Sequence, residues 1–153
     1  MPVGVVQKMV NVVENTKYFV YFCMLNQPYV KAVKKDFRNI NKKKHIVMKF
    51  IVSSTALLSH LQIISRVINS KNSMAILENF LFELKENNLV VTASDQETTM
   101  TTSIEVVESQ GSGYFAVSAK ILLDPLKELP EQPLEFEIND DNLEIYIKYQ
   151  NGH

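Results

Sequence analysis

From Met48 onward the hydrophobic positions follow two alternating periods, and the changes between them mark out the elements. Met48–Val52 (MKFIV) reads as a short buried strand, and Ser53, Ser54 and Thr55 offer N-cap residues for a helix directly after it. Leu57, Leu61, Ile64 and Ile68 then recur at steps of four, three and four, one stripe of an α-helix, with Ser59, Gln62 and Arg66 on a neighbouring polar face. Asn69–Ser73 (NSKNS) breaks the helix. The period then falls to two. Phe80, Phe82 and Leu84 alternate with Leu81, Glu83 and Lys85, a strand with apolar residues on both faces. Glu86-Asn87-Asn88 makes a turn into Leu89–Ala93, and the β-branched stretch Thr98–Val107 reads as a third strand. Ser109–Gly113 is expected to be a loop, and Tyr114–Val117 a short strand.

Ser118 is a plausible N-cap for a second helix, with Ile121, Leu122, Leu126 and Leu129 near one stripe and Lys120, Asp124 and Lys127 on the other side. Pro125 conflicts with a regular helix, so a short or bent one closed by Pro130 is expected. The last pattern is a hairpin. Leu134, Phe136 and Ile138, then Leu143, Ile145 and Ile147, alternate with polar residues on either side of an Asn139–Asn142 turn. Gln150-Asn151-Gly152 begins a further turn with no strand after it, which suggests that the last strands of the domain are missing. The fold class that emerges is α+β: antiparallel sheets with two short helices on one side.

Charge divides the chain at the same place. Up to Val47 there are nine Lys/Arg against two acidic residues, and from Met48 onward seven against fifteen. Residues 1–47 show little periodicity. Their apolar run Tyr18–Leu25 has eight residues where a membrane-spanning helix needs about 20, and no signal-peptide layout surrounds it. This stretch reads as a basic extension, disordered or translated from an early start codon, or else as a nucleic-acid arm. Residues 48–153 form the organised domain. A lone cysteine, Cys23, excludes an internal disulfide framework and a cysteine-based zinc site, and favours a reducing, cytoplasmic setting.

Candidate catalytic chemistry is sparse. Asp95 and Glu97 sit two apart, as paired carboxylates on a strand would, but neither has a histidine, lysine or metal partner in the pattern, and a solvated turn explains them as well. Asp140 and Asp141 belong to a turn, and His45, His60 and His153 share no ligand-like spacing. There is no nucleophile elbow, P-loop or dinucleotide fingerprint. No catalytic residue, metal site or cofactor is therefore expected. Four of the seven basic residues after Met48 lie on or beside the two helices: Arg66, Lys71, Lys120 and Lys127. Lys120 and Lys127 are seven apart and so share a helix face. A basic helical surface backed by acidic strands could meet nucleic acid, or the four could be ordinary solubilising residues.

The order of segments MKFIV, LLSHLQIISRVI, AILENFLFEL, LVVTASDQETTM, YFAVSAKILLDPLKELPE and LEFEINDDNLEIYIKY resembles the amino-terminal domain of the bacterial β sliding clamp, the processivity subunit of DNA polymerase III. The resemblance runs from Met48 to His153. It implies the DNA-clamp fold, in which helices line a ring around duplex DNA and sheets face outward. It also implies a non-enzymatic role: tethering the replicative polymerase through sequence-independent phosphate contacts. Lys120 and Lys127 fall where the family carries basic residues on its second helix, and Lys71 falls in the loop after the first, although NSKNS departs from the family's Gly/Arg/Pro-rich turn. Arg66 lies near the same surface without a family counterpart. A full clamp has three such domains and two subunits joined head-to-tail. The sites for polymerase and clamp loader lie in the later domains, so this stretch alone is expected neither to close a ring nor to recruit them. An open sheet edge after the last hairpin is expected to promote non-native association. The alternative from another class is an α+β protein-interaction domain with no DNA role. A third is a carboxylate-dependent hydrolase using Asp95 and Glu97.

Overall fold

The computed structural model describes residues 5–8, 47–68, 75–95, 97–139 and 144–150, with residues 5–8 and Val47 as backbone only. The strands are β1 (Val5–Lys8), β2 (Val47–Ser53), β3 (Asn79–Lys85), β4 (Asn88–Ser94), β5 (Thr99–Glu105), β6 (Glu108–Gln110), β7 (Gly113–Ser118), β8 (Pro133–Asn139) and β9 (Glu144–Lys148). The helices are α1 (Ser54–Ile64) and α2 (Ala119–Glu128), with 3-10 turns at Ser65–Val67 and Ala75–Glu78. One sheet has the order β1-β9-β8-β2-β6 and the other β5-β4-β3-β7, with every pairing antiparallel.

The period-two pattern determines what each strand buries. Met48, Phe50 and Val52 of β2 and Leu134, Phe136 and Ile138 of β8 point into the core, and the register sets Phe50 opposite Phe136. On the other sheet Phe80, Phe82 and Leu84 face Leu89, Val91 and Ala93 across the β3–β4 ladder and its surroundings. Four rings join the sheets. Phe136 stacks on Phe50 with centroids 4.8 Å apart, Phe50 lies 6.0 Å from Phe115, and Phe115 stacks on Phe82 at 4.8 Å. Offset stacking adds to the burial of these large apolar faces. Leu81 is also buried, on the opposite face of β3 from Phe80 and Phe82 and in register with Ala116, which accounts for the doubly apolar look of this strand.

Both helices cover this core and pack against one another. α1 buries Ser54, Leu57, Leu61 and Ile64. Ser53 is its N-cap, accepting a long 3.4 Å bond from the Ala56 N–H, whereas Ser54 is drawn inward. The Ser54 Oγ donates to the Pro130 carbonyl at 2.9 Å and accepts from the Gln132 N–H at 3.0 Å, and the Ser54 N–H bonds the Gln132 carbonyl at 2.9 Å. The α-helical stripe stops at Ile64, and Ile68, expected to extend it, is in extended conformation after a 3-10 turn. α2 buries Ala119, Leu122, Leu123 and Leu126. Ser118 makes no side-chain capping bond because it is still the last residue of β7, paired with Asn79. Pro125 is accommodated on the wet face beside exposed Ile121, where solvent can reach the carbonyl that the missing N–H leaves unbonded. The helix ends before Leu129, as a residue preceding proline disfavours helical geometry.

Three expectations are corrected. The expected Ser109–Gly113 loop includes part of a strand: Glu108–Gln110 form β6, bonded to Lys49–Ile51 of β2. The third strand ends at Glu105, and the chain then crosses between sheets. The Val106 N–H bonds Asn87 on one side and the Val107 N–H bonds Ile51 on the other. The outer edge of β9, expected to be open, is paired with Val5–Lys8, four residues of the stretch expected to lack organised structure. The expected turns at Asn69–Ser73, Asn139–Asn142 and Gln150–Gly152 fall wholly or mainly outside the described residues.

Candidate nucleic-acid interface

The wet faces of the two helices form the candidate surface. On α1 and its 3-10 extension the exposed positions are Thr55, Ser59, Gln62, Ile63 and Arg66, the face opposite the buried Leu57–Leu61–Ile64 stripe. On α2 they are Lys120, Ile121, Asp124, Pro125, Lys127 and Glu128. Lys120 stands in the first turn and Lys127 in the last, two turns away on an exposed side. Lys71 lies outside the described residues.

Local electrostatics leave the cations available. Lys127 Nζ is 3.9 Å from Asp124 Oδ1, and both side chains are more than half exposed (51% and 59%), so water screens the pair and it is worth little. Across the described helical turns three cations, Arg66, Lys120 and Lys127, face three carboxylates, Glu78, Asp124 and Glu128, of which Glu78 sits on the separate Ala75–Glu78 turn. From β2 onward the strands carry six glutamates against three lysines. The acidic bias therefore lies on the sheets. Among the described residues no group of three or more His, Cys, Asp or Glu side chains could hold a metal ion, and no helix is long and apolar enough to cross a membrane.

Asp95 and Glu97 lie in the connection between β4 and β5 and not on a strand. Asp95 Oδ1 accepts the Thr98 N–H at 2.6 Å and the Glu97 N–H at 2.8 Å, closing an Asx-type turn between β4 and β5, while Glu97 is exposed. The Thr98 bond first, then that from Glu97, holds the Asp95 carboxyl below its usual range. His60 is spent structurally, with Nδ1 2.5 Å from Thr102 Oγ1 on β5.

A second set of charges lies on the outer face of the five-stranded sheet. Lys148 Nζ bonds Glu135 at 3.0 Å and Glu137 at 3.2 Å, and Lys49 Nζ stands 3.3 Å from Glu137. The Lys148 bond, followed by Lys49, outweighs partial burial and pulls the Glu137 carboxyl below its ordinary 4.5. A carboxyl lowered in the folded state stabilises the fold above its unfolded pKa, and that contribution is lost as pH falls through the lower folded value. Side-chain NMR titration should therefore place the Glu137 midpoint below 4.5, and Lys148→Gln should move it upward more than Lys49→Gln does. Equal midpoints in wild type and both variants would contradict this.

Comparison with known proteins adds the family. Residues 48–151 match the family described as DNA polymerase III beta subunit, N-terminal domain. The beta sliding clamp of Buchnera aphidicola is 30% identical over 99 residues, covering 64% of this chain and 27% of that protein. That of Proteus mirabilis is 32% identical over 97 residues, covering 63% and 26%. Among solved structures, a putative DNA polymerase III beta subunit from Eubacterium rectale superposes with a TM-score of 0.62 at 28% identity, covering 69% of this chain and 28% of that one. The Pseudomonas aeruginosa sliding clamp bound to griselimycin gives 0.61 at 21% identity, a likeness of fold, covering 68% and 28%. The chain thus spans about a quarter of the length of these relatives. With two antiparallel sheets, a packed helix pair and a family match over residues 48–151, the chain belongs to the DNA polymerase III beta subunit family through its N-terminal domain.

Proposed function

We propose that this domain serves a DNA polymerase processivity factor, as one segment of a ring-shaped sliding clamp that encircles duplex DNA and tethers the replicative polymerase in the cytoplasm. Its role is non-catalytic: helices α1 and α2 line the hole, and Lys120, Lys127, Arg66 and Lys71 meet phosphates without reading sequence. Residues 1–47 are an extension that precedes the stretch matching the family. The ring partner is another clamp subunit joined head-to-tail, and polymerase and clamp loader engage parts of the clamp outside this domain. The observation that carries the reading is the family match together with the exposure of Lys120 and Lys127 at opposite ends of α2. A few separated cations suit sliding, since a dense basic grip would hold the duplex in one place.

Duplex binding by the full chain, measured at low salt and followed as salt is raised, tests it. Each phosphate contact contributes a slope of about −0.9 in log K against log salt. Lys120→Glu with Lys127→Glu should weaken binding and flatten that slope by about 2, equally on duplexes of different sequence. Unchanged binding would return the chain to the alternative of a protein-interaction domain with no DNA role.

A further inference from the structure

Three polar residues are buried among the described ones: Ser54, Ser94 and Gln132. The two serines are hydrogen-bonded. Ser54 Oγ bonds Pro130 and Gln132, and Ser94 Oγ bonds the Asp95 and Thr98 carbonyls and the Thr99 hydroxyl. Gln132 differs. It is 9% exposed, and neither Nε2 nor Oε1 of its carboxamide has a hydrogen-bond partner in the protein. A buried amide without a partner is costly, and polar groups inside folded proteins nearly always have one.

The burial pattern shows where this side chain lies. Leu134, Phe136 and Ile138 form the buried row of β8, and Gln132 continues that row by one step, with Glu131 and Pro133 exposed on either side. A position that is apolar in the rest of the row therefore holds an amide. The backbone of Gln132 is already engaged, its N–H donating to the Ser54 hydroxyl and its carbonyl accepting from the Ser54 N–H. Ser54 cannot serve the carboxamide as a donor, because its one hydroxyl proton goes to the Pro130 carbonyl. Ser54 is the first residue of α1, and Gln132 sits in the connection from α2 to β8, so the amide lies where the start of α1 meets the chain leaving α2. Pro130, in that connection, has no N–H to offer the Leu126 carbonyl four residues before it, which leaves a further acceptor in the last turn of α2.

We propose that the Gln132 carboxamide binds an internal water molecule at the seam between α1, the α2–β8 connection and the sheet. Both amide atoms are shut off from the surface, so the ligand is small and lies inside the domain. It must also accept from one atom and donate to the other, since Nε2 offers protons and Oε1 lone pairs. A cation would meet the Nε2 protons head-on and an anion would face Oε1, whereas one water accepts from Nε2 and donates to Oε1, with its second proton left for a backbone carbonyl. A water held this way leaves only when the seam opens. Its residence time therefore follows local opening of the α2–β8 connection and not diffusion at the surface.

Water NOE and ROE spectra of the nitrogen-labelled full chain test this without any substitution. The Gln132 side-chain N–H protons should give NOE and ROE cross-peaks to water of opposite sign, the mark of a long-held molecule. Cross-peaks of the same sign, with rapid solvent exchange of those protons, would place the amide in bulk water and overturn the site. Absence of any water cross-peak would overturn it too, by leaving the amide to a direct protein partner. Gln132→Met, which keeps the length of the side chain and removes its polar atoms, supplies the second reading. Relaxation dispersion of the water oxygen should count one long-lived water fewer in this variant than in wild type, and an equal count overturns the proposal. Urea unfolding of the same pair gives the third. An amide served by water is replaced with a change of less than about fivefold in the folding equilibrium constant. An amide with no partner at all predicts a gain of roughly tenfold or more on substitution, and that gain would also overturn the site.

Discussion

Phe50→Ala is expected to cost about 3–5 kcal/mol, the usual range for emptying a buried phenylalanine site. For a fold of this size that lowers Tm by roughly 12 °C or more. Phe50 is 1% exposed and sits in the middle of the ring series, stacked on Phe136 in its own sheet and 6.0 Å from Phe115 in the other. Its loss removes a contact within one sheet and the bridge between the two at once. The surrounding strands are hydrogen-bonded on both sides of β2, so they cannot collapse to refill the space. Phe50→Leu keeps most of the apolar volume and should cost well under half as much. Urea unfolding gives the comparison, and a double-mutant cycle with Phe115→Ala should return a coupling of about 0.5–1.5 kcal/mol. A Phe50→Ala loss below that of Phe50→Leu would mean the rings do not join the sheets as described.

Ser54→Ala is the second expected result, at about 1–3 kcal/mol. Its hydroxyl answers two backbone groups of the segment between α2 and β8, the Pro130 carbonyl and the Gln132 N–H, in a site where Ser54 is only 2% exposed. Alanine leaves both groups without that partner where water has little access. Ser53→Ala, by contrast, removes a long 3.4 Å capping bond and an exposed 2.9 Å bond with the Thr55 hydroxyl at a half-buried position, and should cost about 0.5 kcal/mol, the low end for N-caps. Chemical denaturation of both variants, with an unchanged m-value, decides it. The reverse order of losses would show that the helix cap matters more than the tie across the fold.

These two serines show where reading the sequence succeeds and where it stops. Ser53, Ser54 and Thr55 are equivalent as N-cap candidates in the sequence, because capping is local and the bond from Ser54 to Pro130 spans most of the domain. The strands β2, β3, β4, β8 and β9 are legible because an apolar residue recurs at every second position along each. β6 is not legible. It has three residues, none of them apolar, and is a strand only because β2 offers its backbone an edge. β1 is hidden for the same reason, its partner lying at the far end of the sequence. At the candidate interface, the spacing of Lys120 and Lys127 gave their common exposure, since seven residues make two helical turns. The packing of α1 on α2, which makes one surface of Arg66 and the lysines conceivable, comes from tertiary contacts that no local period encodes.

The position of β2 has a consequence for how the domain is made. It lies between β8 and β6, and Val47 pairs with Asn139, about 90 residues downstream. A ribosome adding roughly 5–20 residues per second therefore releases this apolar strand some seconds before either neighbour exists. Throughout that interval both edges of β2 lack their partners and are open to joining another nascent chain, until β6 and then β8 emerge.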